Sequence, residues 1–197
     1  MHPRIRPLLA ALAFAAAIAV PTSAQESGSA GAWVAEGEAV YEARDSLATW
    51  SGRAPLTLAE LRFDPVDPSD LEMTAQVRPA DFDSGNPLRD LNARRTVFEV
   101  ADHPDASARA AADPASGPPR RADGGWAVPI VVDLTLHGAT VRYATEALLE
   151  RDGADWTGTA VLTLSLEAHG MRRPRLLGIL TEDAVRLEVR VRARPAP

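Results

Sequence analysis

From Trp33 onward, apolar and polar residues alternate with a period of two, the spacing of β-strands that have one dry and one wet face. Ala39, Tyr41 and Ala43 are interleaved with Glu38, Val40, Glu42 and Arg44, and Leu71, Met73, Ala75 and Val77 with Glu72, Thr74, Gln76 and Arg78. The C-terminal half is more regular. Val128, Ile130, Val132, Leu134 and Leu136 share one face, opposite Asp133, Thr135 and His137. A His137-Gly138 turn leads into a strand with Val141, Tyr143, Ala147 and Leu149. Asp152-Gly153 is a hairpin signal, and Trp156, Ala160, Leu162, Leu164 and Leu166 line the strand after it. Val185, Leu187, Val189 and Val191 against Arg186, Glu188, Arg190 and Arg192 is the cleanest alternation.

Two loop-rich zones interrupt the strands. Residues 81–95 hold a Gly-Asn-Pro turn and predict one short helix over 88–95. Residues 113–125, rich in Pro, Gly and Arg, predict an exposed hairpin tip. There is neither an internal repeat nor a domain linker. About eight or nine strands with little helix predict one all-β, antiparallel domain, either a barrel or a sandwich. The alternation alone is compatible with both.

Residues 1–24 read as a secretory leader: His2, Arg4 and Arg6, an apolar run over 8–20, and a Thr22-Ser23-Ala24 cleavage site. The run falls short of the about 20 residues a membrane span requires. The expected product is periplasmic or secreted and not stably inserted in a membrane, with a polar lead-in over 25–32 and a folded domain over 33–197. There is no cysteine, so neither a disulfide nor a cysteine-linked lipid anchor, and the domain must be held by its core. All 21 basic residues are arginine; without the leader's two, 19 face 27 acidic residues, a charge of −8. Such a surface lacks the basic footprint of nucleic-acid binding and the pull toward anionic membranes.

Candidate chemistry is sparse. His103, His137 and His169 are the histidines beyond the leader. None pair at helical spacing, so they read as scattered surface residues and no metal site is expected. There is no Gly-x-Ser-x-Gly elbow, and Ser165 lies within a strand, so no Ser-His-Asp enzyme is expected. Asp64 and Asp67 belong to a proline turn and read as turn-forming residues. Trp33, Trp50, Trp126 and Trp156 fall on separate strands, with core packing or a seal at one end of the sheet as their expected role.

Residues 61–70 read Leu-Arg-Phe-Asp-Pro-Val-Asp-Pro-Ser-Asp; a strand, then Asp-Ser-Gly-Asn-Pro-Leu-Arg-Asp over 83–90, then Phe98 and His103-Pro104 follow. This order resembles the YceI-like family of exported bacterial lipid-binding proteins. The likeness continues in residues 132–140, in 171–181, and in 183–187. Asn92, Ala93 and His103 depart from the family's His, Leu and aromatic residue. The resemblance implies a lipocalin-like, up-and-down β-barrel of about eight strands around an elongated apolar cavity. It implies a long apolar lipid, polyisoprenoid or quinone-like, as the only cofactor-like ligand, carried or sequestered without catalysis. The alternative is an envelope interaction or stress protein whose barrel is filled by its own side chains. Strand phase and position in the motifs put Tyr41, Phe63, Met73, Phe98, Ile130, Leu134, Tyr143, Leu162 and Leu187 on the cavity wall, with Arg89 and Asp90 at its entrance. A homodimer is left open.

Overall fold

The computed structural model describes residues 31–176 and 179–196. The expected leader and lead-in lie outside the described residues, except that Gly31 and Ala32 open the first strand.

Twelve strands follow: β1 (Gly31–Arg44), β2 (Thr49–Pro55), β3 (Leu58–Phe63), β4 (Glu72–Val77), β5 (Ala106–Ala112), β6 (Arg120–Ala122), β7 (Gly125–Leu136), β8 (Ala139–Asp152), β9 (Asp155–Ser165), β10 (Arg175–Leu176), β11 (Ile179–Leu180) and β12 (Ala184–Pro195). The order β12-β9-β8-β7-β5-β4-β3-β1 is antiparallel throughout, and β1 also pairs with β12. These eight strands therefore close into an up-and-down barrel, not a sandwich. β2 extends the same wall, pairing with the C-terminal half of β1 while β3 takes its first residues.

The closing seam is written in charge. Glu36, Glu38 and Glu42 of β1 stand across from Arg192, Arg190 and Arg186 of β12. Exposed pairs of this kind contribute only about 0–1 kcal/mol each. A one-residue slip would turn every side chain to the other face and set the wrong partners opposite, so the seam specifies register more than it adds stability. At the centre of β12, Glu188 bridges Arg186 and Arg190 at 2.7 and 2.5 Å.

The short helix is α1 (Pro87–Asn92). Asn86 caps it by accepting from the Leu88 and Arg89 backbone N–H groups, both at 3.1 Å, and Pro87 opens it, where a missing N–H costs nothing. It stops short of the 88–95 range because the backbone widens at Ala93–Val97 into a π-helical turn, Phe98 N–H donating to the Ala93 carbonyl. The 113–125 zone contains a tight turn at Pro114–Ser116 and the exposed strand β6, which pairs with the start of β7.

The two barrel ends differ. At one, Phe63 stacks on Trp33 with ring centroids 5.2 Å apart and meets Trp156 edge-on at 5.4 Å. Trp126 joins them, its indole N–H donating to the Pro65 carbonyl at 3.0 Å and Arg121 lying 3.8 Å over its ring. The other end is crossed by a strap, residues 78–105, which carries α1 and joins β4 to β5.

Candidate functional site

Between the aromatic plug and the strap lies a cavity of about 210 Å³. Its walls come from all eight strands of the ring, from Trp50 of β2 and from the strap. What leaves the space is a set of small side chains: Ala39 and Ala43 on β1, Ala75 on β4, Ala106, Ala108 and Ala110 on β5, Ala147 on β8, Gly158 and Ala160 on β9. An eight-strand barrel is narrow enough for ordinary aliphatic residues to fill; methyl groups in their place leave it hollow. Ile130, Val132, Leu134, Leu136, Leu162, Leu164, Val185 and Leu187 complete a dry wall.

Polar groups gather at one end. Apart from Thr159, the polar lining residues are Tyr41, Gln76, Arg89, Asn92, Ser107 and Thr181, all near the strap. The Tyr41 hydroxyl is pushed above its ordinary pKa, first by burial and then by the carboxylates of Asp90 and Asp83, against the opposing Arg89 charge. It stays protonated at neutral pH and can donate a hydrogen bond. Its ring meets Phe82 edge-on at 5.2 Å, in room that Gly52 provides: a Cβ there would sit 2.5 Å from Tyr41 Cε1.

Of the residues expected on the wall, Tyr41, Met73, Phe98, Ile130, Leu134, Leu162 and Leu187 line the cavity. Phe63 and Tyr143 do not. Phe63, the last residue of β3, is fully buried inside the aromatic plug. Tyr143 has an inward phase, but His169 lies beside its ring and bonds its hydroxyl at 3.0 Å. Arg89 lines the cavity with its guanidinium 5.5 Å over the Trp50 ring. Asp90 points away from the cavity, 8 % exposed, and accepts from the Ser84 N–H at 3.1 Å and the Ser84 hydroxyl at 2.6 Å. It ties the loop to α1.

The histidines are not scattered over the surface. His169 is fully buried, its Nδ1–H donating to the Ala139 carbonyl at 3.1 Å, which leaves Nε2 to accept from Tyr143 in the neutral ring. His103 and His137 lie with ring centroids 4.1 Å apart although 34 positions separate them, because the end of the strap folds back onto the β7–β8 turn. Ser165 has no histidine partner: it accepts from the Ala168 N–H at 3.0 Å and bonds Asp183. Burial works against ionisation of Asp183, but the Ser165 hydroxyl, the Glu167 N–H and the Arg173 charge outweigh it and hold its carboxyl below the usual range.

The sequence reading missed the alanine wall. Alanine is a weak strand former, so Ala-Ser-Ala-Arg-Ala-Ala-Ala over 106–112 gives no hydrophobic stripe. The legible signal is Arg109, a lone charge between small residues at strand spacing.

No curated protein matches the chain in sequence. Several solved structures share its fold. BcnA of Burkholderia cenocepacia superposes with a TM-score of 0.66 at 17% identity, over 79% of this chain and 95% of that one. A polyisoprenoid binding domain from Saccharophagus degradans gives 0.60 at 12% identity, over 83% and 99%. The Campylobacter jejuni YCEI protein gives 0.57 at 14% identity, over 71% and 81%. The model of the YceI-like domain matches residues 34–193, nearly the whole barrel, and the chain belongs to the YceI-like family.

Proposed function

We propose that this protein is an exported carrier that holds a long apolar lipid, polyisoprenoid or quinone-like, inside the barrel, without transforming it. The observation that carries the reading is the alanine-lined cavity, apolar along its length and polar at the strap. That is the shape of an amphiphile with a long tail and a compact head. Each buried methylene contributes about 0.8 kcal/mol, so one isoprene unit brings on the order of 3 kcal/mol gross. Several units offset the cost of ordering the ligand without any charged clamp. The tail occupies the trunk beside Met73, Ile130, Leu134 and Leu162. The head lies at the strap, where Arg89 offers planar donors to a carbonyl or anionic group and Tyr41 a hydroxyl.

Two further facts support the reading. One fold neighbour is a polyisoprenoid binding domain, and the first 24 residues have the composition of a secretory leader. The cavity weighs against a barrel plugged by its own side chains and acting only through its surface. Native mass spectrometry of protein purified from its own host is the test: a co-purified lipid that exchanges with a dansyl-labelled isoprenoid is expected. A barrel that comes off its column empty and takes up no labelled isoprenoid would overturn the reading.

A further inference from the structure

Outside the cavity, one cluster of side chains has no role in the fold or in the reading above. Glu99 and His103 close the strap, and His137 heads the β7–β8 turn. One ligand atom from each lies within 4.8 Å of those of the other two. The His137 Nε2 is 3.1 Å from the Glu99 carboxylate, close to the about 3.3 Å between neighbouring ligands of a tetrahedral ion with 2.0–2.1 Å bonds. His103 is drawn in by a tight turn in which both the Asp102 and the His103 N–H donate to the Glu99 carbonyl.

The backbone carries a second, independent mark. Among the described residues, only Glu99 (φ 46°) and His137 (φ 52°) are non-glycines in the left-handed region. Both belong to this cluster. A side chain held in that region costs about 1–3 kcal/mol, and such strain collects at functional sites. The turn after β7 has positive φ at both central residues, a geometry that Asn-Gly fits best, yet histidine stands there. Gly138 beside it leaves room for His103: a Cβ would lie 3.2 Å from the His103 Cε1.

We propose that Glu99, His103 and His137 form a binding site for a divalent transition-metal ion, Zn²⁺ being the ion best suited to it. Two imidazoles and a carboxylate are a ligand set that zinc takes with one position left for water, and the absence of thiolates leaves no rival soft site in the chain. Two ligands come from the strap and one from the barrel rim, so the ion clips the segment that closes the polar end of the cavity to the wall beneath it. The proposal stands on the cluster alone and does not depend on what the cavity holds.

The test uses tag-free protein after leader removal, titrated calorimetrically with ZnCl2. One equivalent of Zn²⁺ is expected to bind. Thermal melts should rise with added Zn²⁺, as for any ligand of the folded state, and amide exchange over 94–103 should slow. His137→Asn is the decisive variant, because Asn-Gly suits the turn: its zinc-free melting point should equal or exceed that of the parent, while zinc affinity falls about 100-fold or more, beyond what loss of an outer-shell partner causes. His103→Gln should lose zinc to the same degree. No stoichiometric zinc binding, zinc binding that survives both substitutions, or binding that leaves the exchange of 94–103 unchanged would each overturn the proposal.

Discussion

The two ends of this barrel solve different problems with the same kind of strand. At the aromatic end, Trp33, Phe63, Trp126 and Trp156 fill the cross-section with rings, and the indole N–H groups of Trp33 and Trp126 donate to the Phe63 and Pro65 carbonyls. Between the ends much of the wall shrinks to alanine, and closure of the second end is left to residues 78–105, held by a capped helix, the Asp90–Ser84 pair and one guanidinium bond from Arg94 to the Phe82 carbonyl at 3.1 Å. One end is built to stay shut, since rings of 150–250 Å² dominate a core once buried. The strap buries less: Leu88 is 80% and Leu91 42% exposed. Stability is therefore weighted toward the plug, and the proposed lipid would enter at the strapped end.

The sharpest way to break that assignment is to truncate one aromatic residue at each end. Phe63→Ala, in the plug, is expected to cost about 3–5 kcal/mol in urea unfolding, the range for a fully buried phenylalanine. Phe98→Ala, on the strap, should cost roughly half as much, since only part of its ring is buried, while releasing a bound isoprenoid faster. Equal stability losses at the two ends would remove the distinction between plug and lid.

A second test fills the cavity instead of emptying the plug. Ala108 faces the cavity from the middle of β5, between Ala75 of β4 and Leu134 of β7. Ala108→Leu should fold normally and lose about 100-fold in affinity for a labelled polyisoprenoid, the equivalent of displacing one unit worth on the order of 3 kcal/mol. Unchanged uptake would mean that the lipid lies elsewhere.

How much of this was legible in the chain follows the same division. The regular strands β7, β8, β9 and β12 could be read from alternation because each carries an apolar face, set against a charged one on β12 and a polar or mixed one on the others. The closing seam went unread, because the acid on β1 and the arginine on β12 meet only once the sheet is closed. Seven of the nine residues placed on the wall by strand phase or motif position line the cavity; Phe63 and Tyr143 fail because phase gives the face of a strand and not the height along the barrel. β5 went unread because alanine carries neither strand propensity nor a hydrophobic stripe. The Glu99, His103 and His137 cluster escaped because its parts meet only when the sheet closes and the strap returns. After residue 170 Met171 is buried and the Arg173 guanidinium donates to the Thr181 carbonyl at 2.8 Å, contacts that no periodicity in Met-Arg-Arg-Pro-Arg over 171–175 announces.

The seam joins both ends, so its response to acid should be shared by the whole barrel. Hydrogen bonds from Arg190 and Arg186 hold the Glu188 carboxyl below the usual glutamate range, outweighing the cost of its burial. A depressed pKa gives stability that is fully present above the unfolded value of about 4.3 and disappears as pH falls through the lower folded value. Thermal melts from pH 7 downward should show wild type losing stability below about pH 4 more steeply than Glu188→Gln. At neutral pH that variant should be weaker by about 1 kcal/mol. Parallel slopes for the two proteins would mean that Glu188 contributes nothing to closure.

The smallest expected effect separates head from tail. Arg89 is the cation that both lines the cavity and lies over Trp50. Arg89→Met keeps an unbranched apolar stem while removing the guanidinium, with its charge, its planar donors and its contact over the indole. Loss of a cation–π contact near the surface is worth at most about 1 kcal/mol, so the melting point should hardly move, and a plain hydrocarbon probe should bind as before. A probe of the same length with a carbonyl or phosphate head should bind several-fold more weakly, because only that ligand uses the guanidinium. If both probes weaken together, Arg89 shapes the strap and does not read the head; if neither does, the polar end of the cavity is not where the head lies, and the amphiphile is held by its tail alone.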